Sequence, residues 1–468
     1  MTEPNTVPLE ERLTRLMRHL GIVRGHFAAC MPRDWEGLAQ HRRGQIASLT
    51  LVCPMGINRQ ALGDQPIPTL IVAGDRGRAA LAAHEEAGKI AGATYLTLAN
   101  YFSPSWADAI AERPTEIGNT MKEFIGRNAG LVTLPEFPAD RADGEIAEIS
   151  YSIRGKGEPL ILMPLALAPS QWQPLIEKLS QHFCTITLRG KHLGMVAHLE
   201  IRAQSSYMRV IDQLLRELNF ARGQSLLEVG CGPGAIVRRI AARSRGANPI
   251  VAADVNCYLM REAAALAERE GLAPFIEFRE GDAEKLPFAD NQYDCTIACT
   301  VMEEGDADRM LRELVRVTRP GGKVGAVVRS TDLPRWVNLP LGAALKIKVE
   351  NAGFFSGNVT ETGCADASLY RRMIAAGLQN VAMLPQWASH KDGERLDYLH
   401  DRIIGLLAPE ELMEWRAALD RAKADGTFFI SEPFHCAVGM KPGYERGVER
   451  KASDPKPLTL LPLTVLRA

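Results

Sequence analysis

Long apolar runs, a strong net charge and paired cysteines are all missing from this chain of 468 residues. No apolar run approaches the roughly 20 residues that a membrane-spanning helix needs, and the first residues show no signal-peptide core. Lys and Arg number 55 and Asp and Glu 56, so no net field would attract nucleic acid or an anionic membrane. We therefore expect a cytoplasmic protein with neither nucleic-acid nor membrane partners.

The nine cysteines include no C-x-x-C pair and no metal-ligand spacing, and most lie inside apolar segments. We expect reduced, structural thiols and no metal site. Fixed-period repeats and low-complexity tracts are also missing. What is present is a globular composition, 46% hydrophobic and 24% charged, at a length that predicts two or three domains.

A glycine-rich turn carries most of the chemical information. The segment Leu226–Ala241 reads LLEVGCGPGAIVRRIA, which predicts a buried strand, then a turn at Gly230, Gly232 and Gly234, then a helix. Glycine lets the backbone pass close to a ligand, and the helix N-terminus offers free N–H groups and partial positive charge. Such a turn is a weak signal alone, because dinucleotide-binding enzymes use the same device.

The segments that follow narrow the choice. Asp254 ends the next apolar strand about twenty residues on, the spacing of an acid that binds ribose hydroxyls. Later segments predict further strands in order: FIEFREGDAEKLPF at 275–288, YDCTIACTVME at 293–303, PGGKVGAVVR at 320–329 and FFISEPFHCAVGM at 428–440. Together they resemble the class I S-adenosylmethionine-dependent methyltransferases, especially the small-molecule branch that includes ubiquinone/menaquinone-type enzymes. The resemblance implies a Rossmann-like α/β domain over 200–442 whose last strand enters antiparallel.

The resemblance also implies how S-adenosylmethionine would be held. Gly230 and Gly232 would approach its methionine portion and Asp254 its ribose hydroxyls. Asp282 and Ala283 would meet the adenine amine and ring nitrogen. Two plainer interpretations stay open: Asp254 could be a strand-end helix cap, and Asp282 a turn residue.

Four more residues complete the implied donor site. Cys299 and Thr300 would face the methionine carboxylate or amine. Tyr207 would close over the donor, although a lone Tyr on a helix could equally be core. Glu228 would orient the glycine turn or the donor's ammonium, because a buried free carboxylate is costly.

The acceptor side is less defined. In relatives the region matching 330–378 forms a lid, and its aromatic residues Trp336, Phe354 and Phe355 could line an apolar pocket or simply pack the lid. His198 and His435 are candidate bases by residue type alone, so no catalytic residue is assigned.

The end of the fourth strand lies beside the acceptor in relatives. Glu303 and Glu304 are therefore candidates for that side of the site. Alternatively, they are N-terminal charges of the helix that begins near Asp306.

The first two hundred residues alternate short apolar strands with amphipathic helices, which predicts a mostly parallel sheet. A Pro-, Asp- and Gly-rich stretch at 133–145 predicts a linker. The stretches before and after it, 9–132 and 146–195, resemble the C-terminal and N-terminal halves of the α/β-hydrolase fold, in that order. We expect one circularly permuted domain without a cap over 1–195, the alternative being two truncated remnants. A single sheet requires Leu160–Met163 to pair in parallel with Gly25–Ala29.

The hydrolase triad is missing from this half. Met31 stands at the nucleophile position, Gly77 at the acid position and Ser103 near the histidine position. A thioether cannot be deprotonated to attack a carbonyl. Cys30 is a candidate substitute nucleophile, but a small apolar filler is the better interpretation. We expect a catalytically inactive module.

The functional expectation is a methyltransferase acting on a small, apolar or aromatic acceptor. The hydrolase-like half would be structural, roof the acceptor site or form a homodimer, and 443–468 would be a tail. Two alternatives are a non-catalytic scaffold that senses S-adenosylmethionine and a bifunctional hydrolase–methyltransferase.

Overall fold

The computed structural model describes residues 7–54, 56–63, 67–102, 108–130, 141–190, 193–351 and 359–443. Among these residues the chain forms two eight-stranded sheets, one before and one after residue 195. Helices cover the faces of both sheets, so each strand series has its own core. No helix of the described ranges combines the length and apolar character needed to cross a membrane.

The first sheet runs in the order β4-β3-β2-β1-β7-β8-β6-β5. Its strands are β1 (Gly25–Ala29), β2 (Ile46–Val52), β3 (Thr69–Arg76), β4 (Thr94–Phe102), β5 (Arg141–Ile146), β6 (Ile149–Arg154), β7 (Pro159–Leu162) and β8 (Cys184–Gly190). Its helices are α1 (Leu9–His19), α2 (Pro32–His41), α3 (Arg59–Leu62), α4 (Arg78–Ala87), α5 (Ala109–Glu112), α6 (Pro114–Arg127) and α7 (Gln173–Ser180).

The pairing required for a single sheet is present. β1 and β7 are parallel neighbours, with Phe27 opposite Ile161. All five β1 residues are buried, as expected of a central strand covered on both faces. The two halves of this region therefore build one sheet, as a single domain requires.

The predicted linker at 133–145 is wrong over its last residues. Residues 131–140 lie outside the described part, but 141–146 form β5, an edge strand antiparallel to β6. The two strands are joined by Ala147 and Glu148, whose φ angles of 52° and 60° are those of a tight two-residue hairpin. The polar sequence RADGEI resembles a loop because an edge strand exposes much of its length.

The second sheet follows the order β11-β10-β9-β12-β13-β16-β14, with β15 also paired to β16. Its strands are β9 (Leu226–Val229), β10 (Ile250–Asp254), β11 (Ile276–Glu280), β12 (Tyr293–Cys299), β13 (Thr318–Arg329), β14 (Trp336–Val337), β15 (Gln379–His390) and β16 (Ile430–Met440). β16 runs antiparallel to β13, which confirms the predicted direction of the last strand.

Nine helices of the described residues surround this second sheet. They are α8 (Met195–Gln204), α9 (Tyr207–Glu217), α10 (Ala235–Ser244), α11 (Cys257–Arg269), α12 (Ala307–Val317), α13 (Ala343–Glu350), α14 (Ser368–Ala375), α15 (Gly393–Ile404) and α16 (Pro409–Ala424). α13, α15 and α16 share a small core around Trp415, which is fully buried.

The two sheets meet through α11. Tyr258 and Leu259 pack on Leu167, Ala168 and Val196. The Tyr258 hydroxyl lies 2.5 Å from the Ser170 hydroxyl, and a salt bridge of 3.2 Å joins Arg261 to Asp108. Because these partners follow β7 and β4, which run in the same direction, α11 covers the carboxyl-end edge of the first sheet.

Candidate active site

The glycine turn lies between β9 and α10 and has the backbone that its sequence predicts. Gly230, Gly232 and Gly234 have φ angles of 70°, 55° and 72°, which L side chains rarely adopt. A Cβ placed on Gly230 would lie 2.5 Å from Cγ2 of Val301. Glycine is therefore needed at this position both for its backbone conformation and for the close approach of the loop that follows β12.

Asp254 closes the other side of this turn. Its Oδ2 accepts a hydrogen bond of 2.8 Å from the Gly232 N–H, and its Oδ1 accepts one of 2.9 Å from Asn256. Burial raises the pKa of Asp254, and these N–H bonds counteract part of that rise. The cap of α11 is Asn256, which accepts from Leu259. Asp254 is thus tied to the glycine turn and does not itself cap the helix.

Glu228 is almost completely buried inside β9, at 1% exposure. Burial raises the pKa of its carboxyl to about 8, although the Val237 N–H donates to it. Its Oε2 has no hydrogen-bond partner among the described residues. Leaving such an atom unpaired costs about 1–3 kcal/mol, so the site favours a ligand that brings a donor or a positive charge.

Thr300, Arg202 and Tyr207 form the next wall. Thr300 has a φ of 57° at the end of β12, and its Oγ1 accepts a hydrogen bond of 3.1 Å from Arg202. The Arg202 guanidinium lies 4.5 Å from the centre of the Tyr207 ring, a cation–π contact. Tyr207 is buried, and its hydroxyl has no partner in the described part of the chain. Tyr207 therefore packs in the core and also lies close to the site.

Compared with the residues above, Cys299, Asp282 and Ala283 make fewer polar contacts at the site. Cys299 is buried, which raises the pKa of its thiol well above the usual range, so it acts as apolar wall. Asp282 is exposed, and its Oδ1 accepts a hydrogen bond of 2.8 Å from Glu284. Its turn follows β11, whose neighbour β10 ends at Asp254. Asp282 is therefore a turn residue located one strand from the ribose-binding candidate.

The two glutamates after β12 behave differently. Glu303 is buried, and its Oε1 accepts a hydrogen bond of 2.8 Å from the Arg329 N–H, which fixes the end of β13. Glu304 is exposed to solvent, and surrounding protein partly desolvates its carboxyl and raises its pKa to about 7. Helix α12 is capped by Asp306, whose Oδ1 accepts from Arg309. The alternative that Glu303 is an N-terminal helix charge is therefore wrong.

The remaining candidates are scattered. His435 lies on β16, where its Nε2 is 2.6 Å from Asp332 Oδ1. His198 on α8 faces Tyr398, with ring centroids 4.5 Å apart. Trp336 is 59% exposed and lies against Trp387 on the surface.

Phe354 and Phe355 of the acceptor side, within 352–358, lie outside the described residues, as does Ser103 of the first domain. Residues 444–468 of the expected tail lie outside as well. The described part of the lid region packs partly into a small core around Val337, Leu345 and Val349 and partly, through Leu369 and Met373, into the core of the second sheet.

A small cavity of about 20 Å³ adjoins this site. It is bounded by β13, β16, α8 and α15, and its lining consists of Arg202, Arg329, Ser330, Leu333, Arg335, Arg395, Glu432, Pro433 and Phe434. Sequence reasoning missed the four arginines because they are separated by up to 193 positions and follow no motif. In the sequence, only the position of Arg202, five residues before the donor-site candidate Tyr207, could have pointed to this cavity.

Residues 227–325 match the family model of the methyltransferase domain. The chain is 32% identical over 119 residues to the ubiquinone/menaquinone biosynthesis C-methyltransferase UbiE of Legionella pneumophila (strain Corby), covering 25% of this chain and 48% of that protein. It is 34% identical over 131 residues to the methyltransferase GfsG of Streptomyces halstedii, covering 26% and 45%. The chain thus spans about half the length of the curated relatives it matches.

Solved structures also resemble part of the chain. The YcgJ protein from Bacillus subtilis aligns with a TM-score of 0.35 and 15% identity, covering 50% of this chain and 99% of that one. The [4+2]-cyclase SpnF aligns with a TM-score of 0.33 and 22% identity, covering 50% and 81%. By its match to the family model, the second half of the chain contains a methyltransferase domain.

Proposed function

We propose that this protein transfers a methyl group from S-adenosylmethionine to a small acceptor with an apolar or aromatic body. The observation that carries the proposal is the glycine turn closed by Asp254 and backed by buried Glu228, within the segment that matches the methyltransferase domain.

The residues at this turn fit the parts of the donor. The unpaired Oε2 of Glu228 suits the donor's ammonium, and the open backbone at Gly230 and Gly232 suits its methionine chain. Each Asp254 oxygen keeps a second lone pair with which to accept a ribose hydroxyl. We assign Asp282 and Ala283, which follow the neighbouring strand, to the adenine ring. When bound, this donor supplies an electrophilic methyl group on a sulfonium sulfur.

The chain itself must hold the acceptor in line and exclude water. We assign to Glu304 the proton that the acceptor nucleophile would release, because its pKa of about 7 suits a general base. The electrostatic influence of Arg329, Glu303, Asp254 and Arg202 on this carboxyl supports a position near the glycine turn.

We further propose that the first domain is a permuted, catalytically inactive hydrolase-like module that supports the second. Met31 directly precedes α2 and has an ordinary extended φ of −83°. The carboxylate of Asp75, two residues before the acid position at Gly77, already accepts hydrogen bonds from the Asn100 and Tyr101 N–H groups. The Cys30 thiol donates to the Cys53 carbonyl at 3.2 Å. Because α11 covers the neighbouring edge, we infer a docking role for this module in a cytoplasmic enzyme.

The proposal is tested by titrating the full chain with S-adenosylmethionine calorimetrically, then measuring transfer of a radiolabelled methyl group to a panel of small phenols, amines, thiols and carboxylic acids. We expect binding and transfer. Binding with no transfer to any member would favour the sensing scaffold, and loss of both would refute the proposal.

A glycine pair provides the matched control. Gly230→Ala should weaken donor binding at least tenfold, because a Cβ there meets Val301. Gly321→Ala has the same kind of positive φ, 77°, but open space around its Cβ. It should cost about 1 kcal/mol of stability and leave donor binding unchanged. Equal donor affinities in the two variants would contradict the placement of the donor at this turn.

A further inference from the structure

We propose that Gln171 of the first domain is a positioning residue for the methyl-donor site of the second. It lies between β7 and α7 and is only 1% exposed. Its side chain holds two partners, one leading to α8 and the other to α11, and both helices contact the glycine turn. This inference rests on the proposed methyltransferase function and gives the first domain a part in it.

Helix α11 packs directly on the glycine turn. The Met260 sulfur lies 3.8 Å from the sulfur of Cys231 inside the turn. A Cβ placed on Gly234 would lie 3.3 Å from the Cβ of Ala263. The helix also begins three residues after Asp254. A shift of α11 would therefore move the carboxylate that we assign to the ribose hydroxyls.

Another side of α11 contacts the first domain. Tyr258, Arg261 and Glu262 are three and four positions apart, so they share one side of the helix. Ser170 donates a hydrogen bond of 2.9 Å to Glu262, and since a hydroxyl has one proton, Ser170 accepts the 2.5 Å bond from Tyr258. Arg261 pairs with Asp108 at 3.2 Å. A hydroxyl relay and an ion pair thus fasten α11 to the first domain.

Asp108 is fixed in turn by Gln171. The Asp108 side chain is 4% exposed, and the Gln171 amide donates a hydrogen bond to its carboxylate. Burial raises the pKa of Asp108 to about 6, although the Ala111 N–H, Arg261 and Gln171 oppose the rise. At neutral pH the carboxylate is therefore largely ionised and available to Arg261.

The carbonyl end of the Gln171 side chain holds the loop in front of α8. Its Oε1 accepts hydrogen bonds from the Leu167 N–H at 3.0 Å and from the Ala168 N–H at 3.3 Å. The backbone carbonyls of 166 and 167 then accept the first two N–H groups of α8, at 3.1 and 3.0 Å. A Cβ placed on Gly194 would lie 2.7 Å from the Leu167 carbonyl oxygen. This loop therefore fixes where α8 begins.

Helix α8 extends this connection to the donor site. A Cβ placed on Gly232 would lie 3.7 Å from Cδ1 of Leu199. Further along the helix, Arg202 donates a hydrogen bond of 3.1 Å to the Thr300 hydroxyl. The two ends of the Gln171 side chain thus act on the two helices that pack against the glycine turn.

Loss of the Gln171 amide would loosen both connections. The Leu167 and Ala168 N–H groups would lose a buried acceptor, and Asp108 would lose a donor. Hydrogen bonds weaken steeply when their angles change, so a small movement of α11 would impair the bond between Asp254 and a ribose hydroxyl. Recognition of the ribose is therefore the property that Gln171 controls.

The test measures the affinities of the full chain for S-adenosylhomocysteine and for its 2′,3′-dideoxy analogue by calorimetry. We expect the unmodified chain to bind S-adenosylhomocysteine at least about fivefold more tightly, because Asp254 accepts from the ribose hydroxyls. Gln171→Met, which has a similar volume and no amide, should reduce this preference at least about threefold. A merely less stable variant would lose affinity for both ligands equally and keep the ratio.

Variants on α11 supply a second measurement and a control. Arg261→Gln breaks the ion pair with Asp108 at a side chain that is 61% exposed, so it should fold and reduce the preference about twofold. Arg261→Lys should retain most of the preference. Arg269→Gln makes the same change of charge at an exposed position of the same helix and should leave the preference unchanged.

An unchanged preference in Gln171→Met overturns the inference and leaves the proposed function standing. If Gln171→Met does not fold, an unchanged preference in Arg261→Gln overturns it in the same way. Failure of S-adenosylhomocysteine to bind the unmodified chain would instead count against the proposed function itself.

Discussion

At the scale of single residues, Glu228 combines two properties that rarely occur together in a stable core. It is buried to 1% exposure, and one carboxyl oxygen has no hydrogen-bond partner among the described residues. Its folded pKa of about 8 lies above the ordinary value of 4.5. Between these two values the unfolded chain has lost the proton that the folded chain keeps, so Glu228 makes stability fall as pH rises from 4.5 to about 8.

An ammonium group of a ligand beside Glu228 should offset this loss of stability. It would lower the pKa of Glu228, so binding should release a proton near pH 7 and the affinity should increase from pH 6 to 8. Calorimetry of S-adenosylhomocysteine in buffers of different ionisation enthalpy measures the proton count. Glu228→Gln should abolish the release and flatten the pH dependence, whereas Glu277→Gln, exposed on β11, should preserve both. Undiminished proton release in Glu228→Gln would contradict the assignment.

Single residues also show what the sequence could and could not predict. The glycine turn and Asp254 were predictable because their spacing reflects a local strand–turn–helix unit. The arginine-lined cavity was not, because its residues lie on four elements that only the folded chain brings together. The position of Glu303 beside the acceptor stays a prediction, and its bond to the Arg329 backbone could not be predicted because it depends on a contact between two separate segments.

At the scale of elements, one buried arginine joins three helices. Arg238 on α10 is fully buried and pairs with Glu200 of α8 and with Glu270, which follows α11. Because Arg238 lies in the helix that begins at the glycine turn, this network also positions the turn.

Removing Arg238 should therefore lower the free energy of unfolding strongly. Arg238→Ala removes the buried guanidinium that pairs with both carboxylates and should cost about 3–5 kcal/mol in urea unfolding. Its neighbour Arg239 lies 3.8 Å from Glu200 with 30% of its side chain exposed, so Arg239→Ala should cost less than about 1 kcal/mol. Similar losses of free energy in both variants would show that the buried pairs do not hold the helices.

Elements were predicted well where their patterns were strongly apolar. The parallel pairing of β1 with β7 followed from two buried apolar segments and is confirmed. β5 was missed because its sequence is polar and its turn, Ala147–Glu148, contains neither Gly nor Asn. Only the pairing with β6 makes that segment a strand.

At the scale of the whole molecule, α11 covers the edge at which the first sheet would present catalytic groups. We expect the purified chain to hydrolyse p-nitrophenyl esters of any acyl length no faster than its Cys30→Ala variant. The reason is that Met31 cannot act as a nucleophile and Asp75 is engaged by the backbone of β4. Hydrolysis that disappears in Cys30→Ala would restore the bifunctional interpretation.

The pairing of β1 with β7 has a consequence for synthesis. Phe27 and Ile161 face each other in the centre of the first sheet, yet the ribosome adds Ile161 134 residues later. At about 5–20 residues per second, the nascent β1 waits on the order of 10 s for its partner. During that interval its apolar edge is open, so this protein should depend on nascent-chain chaperones more than one whose central strands emerge together.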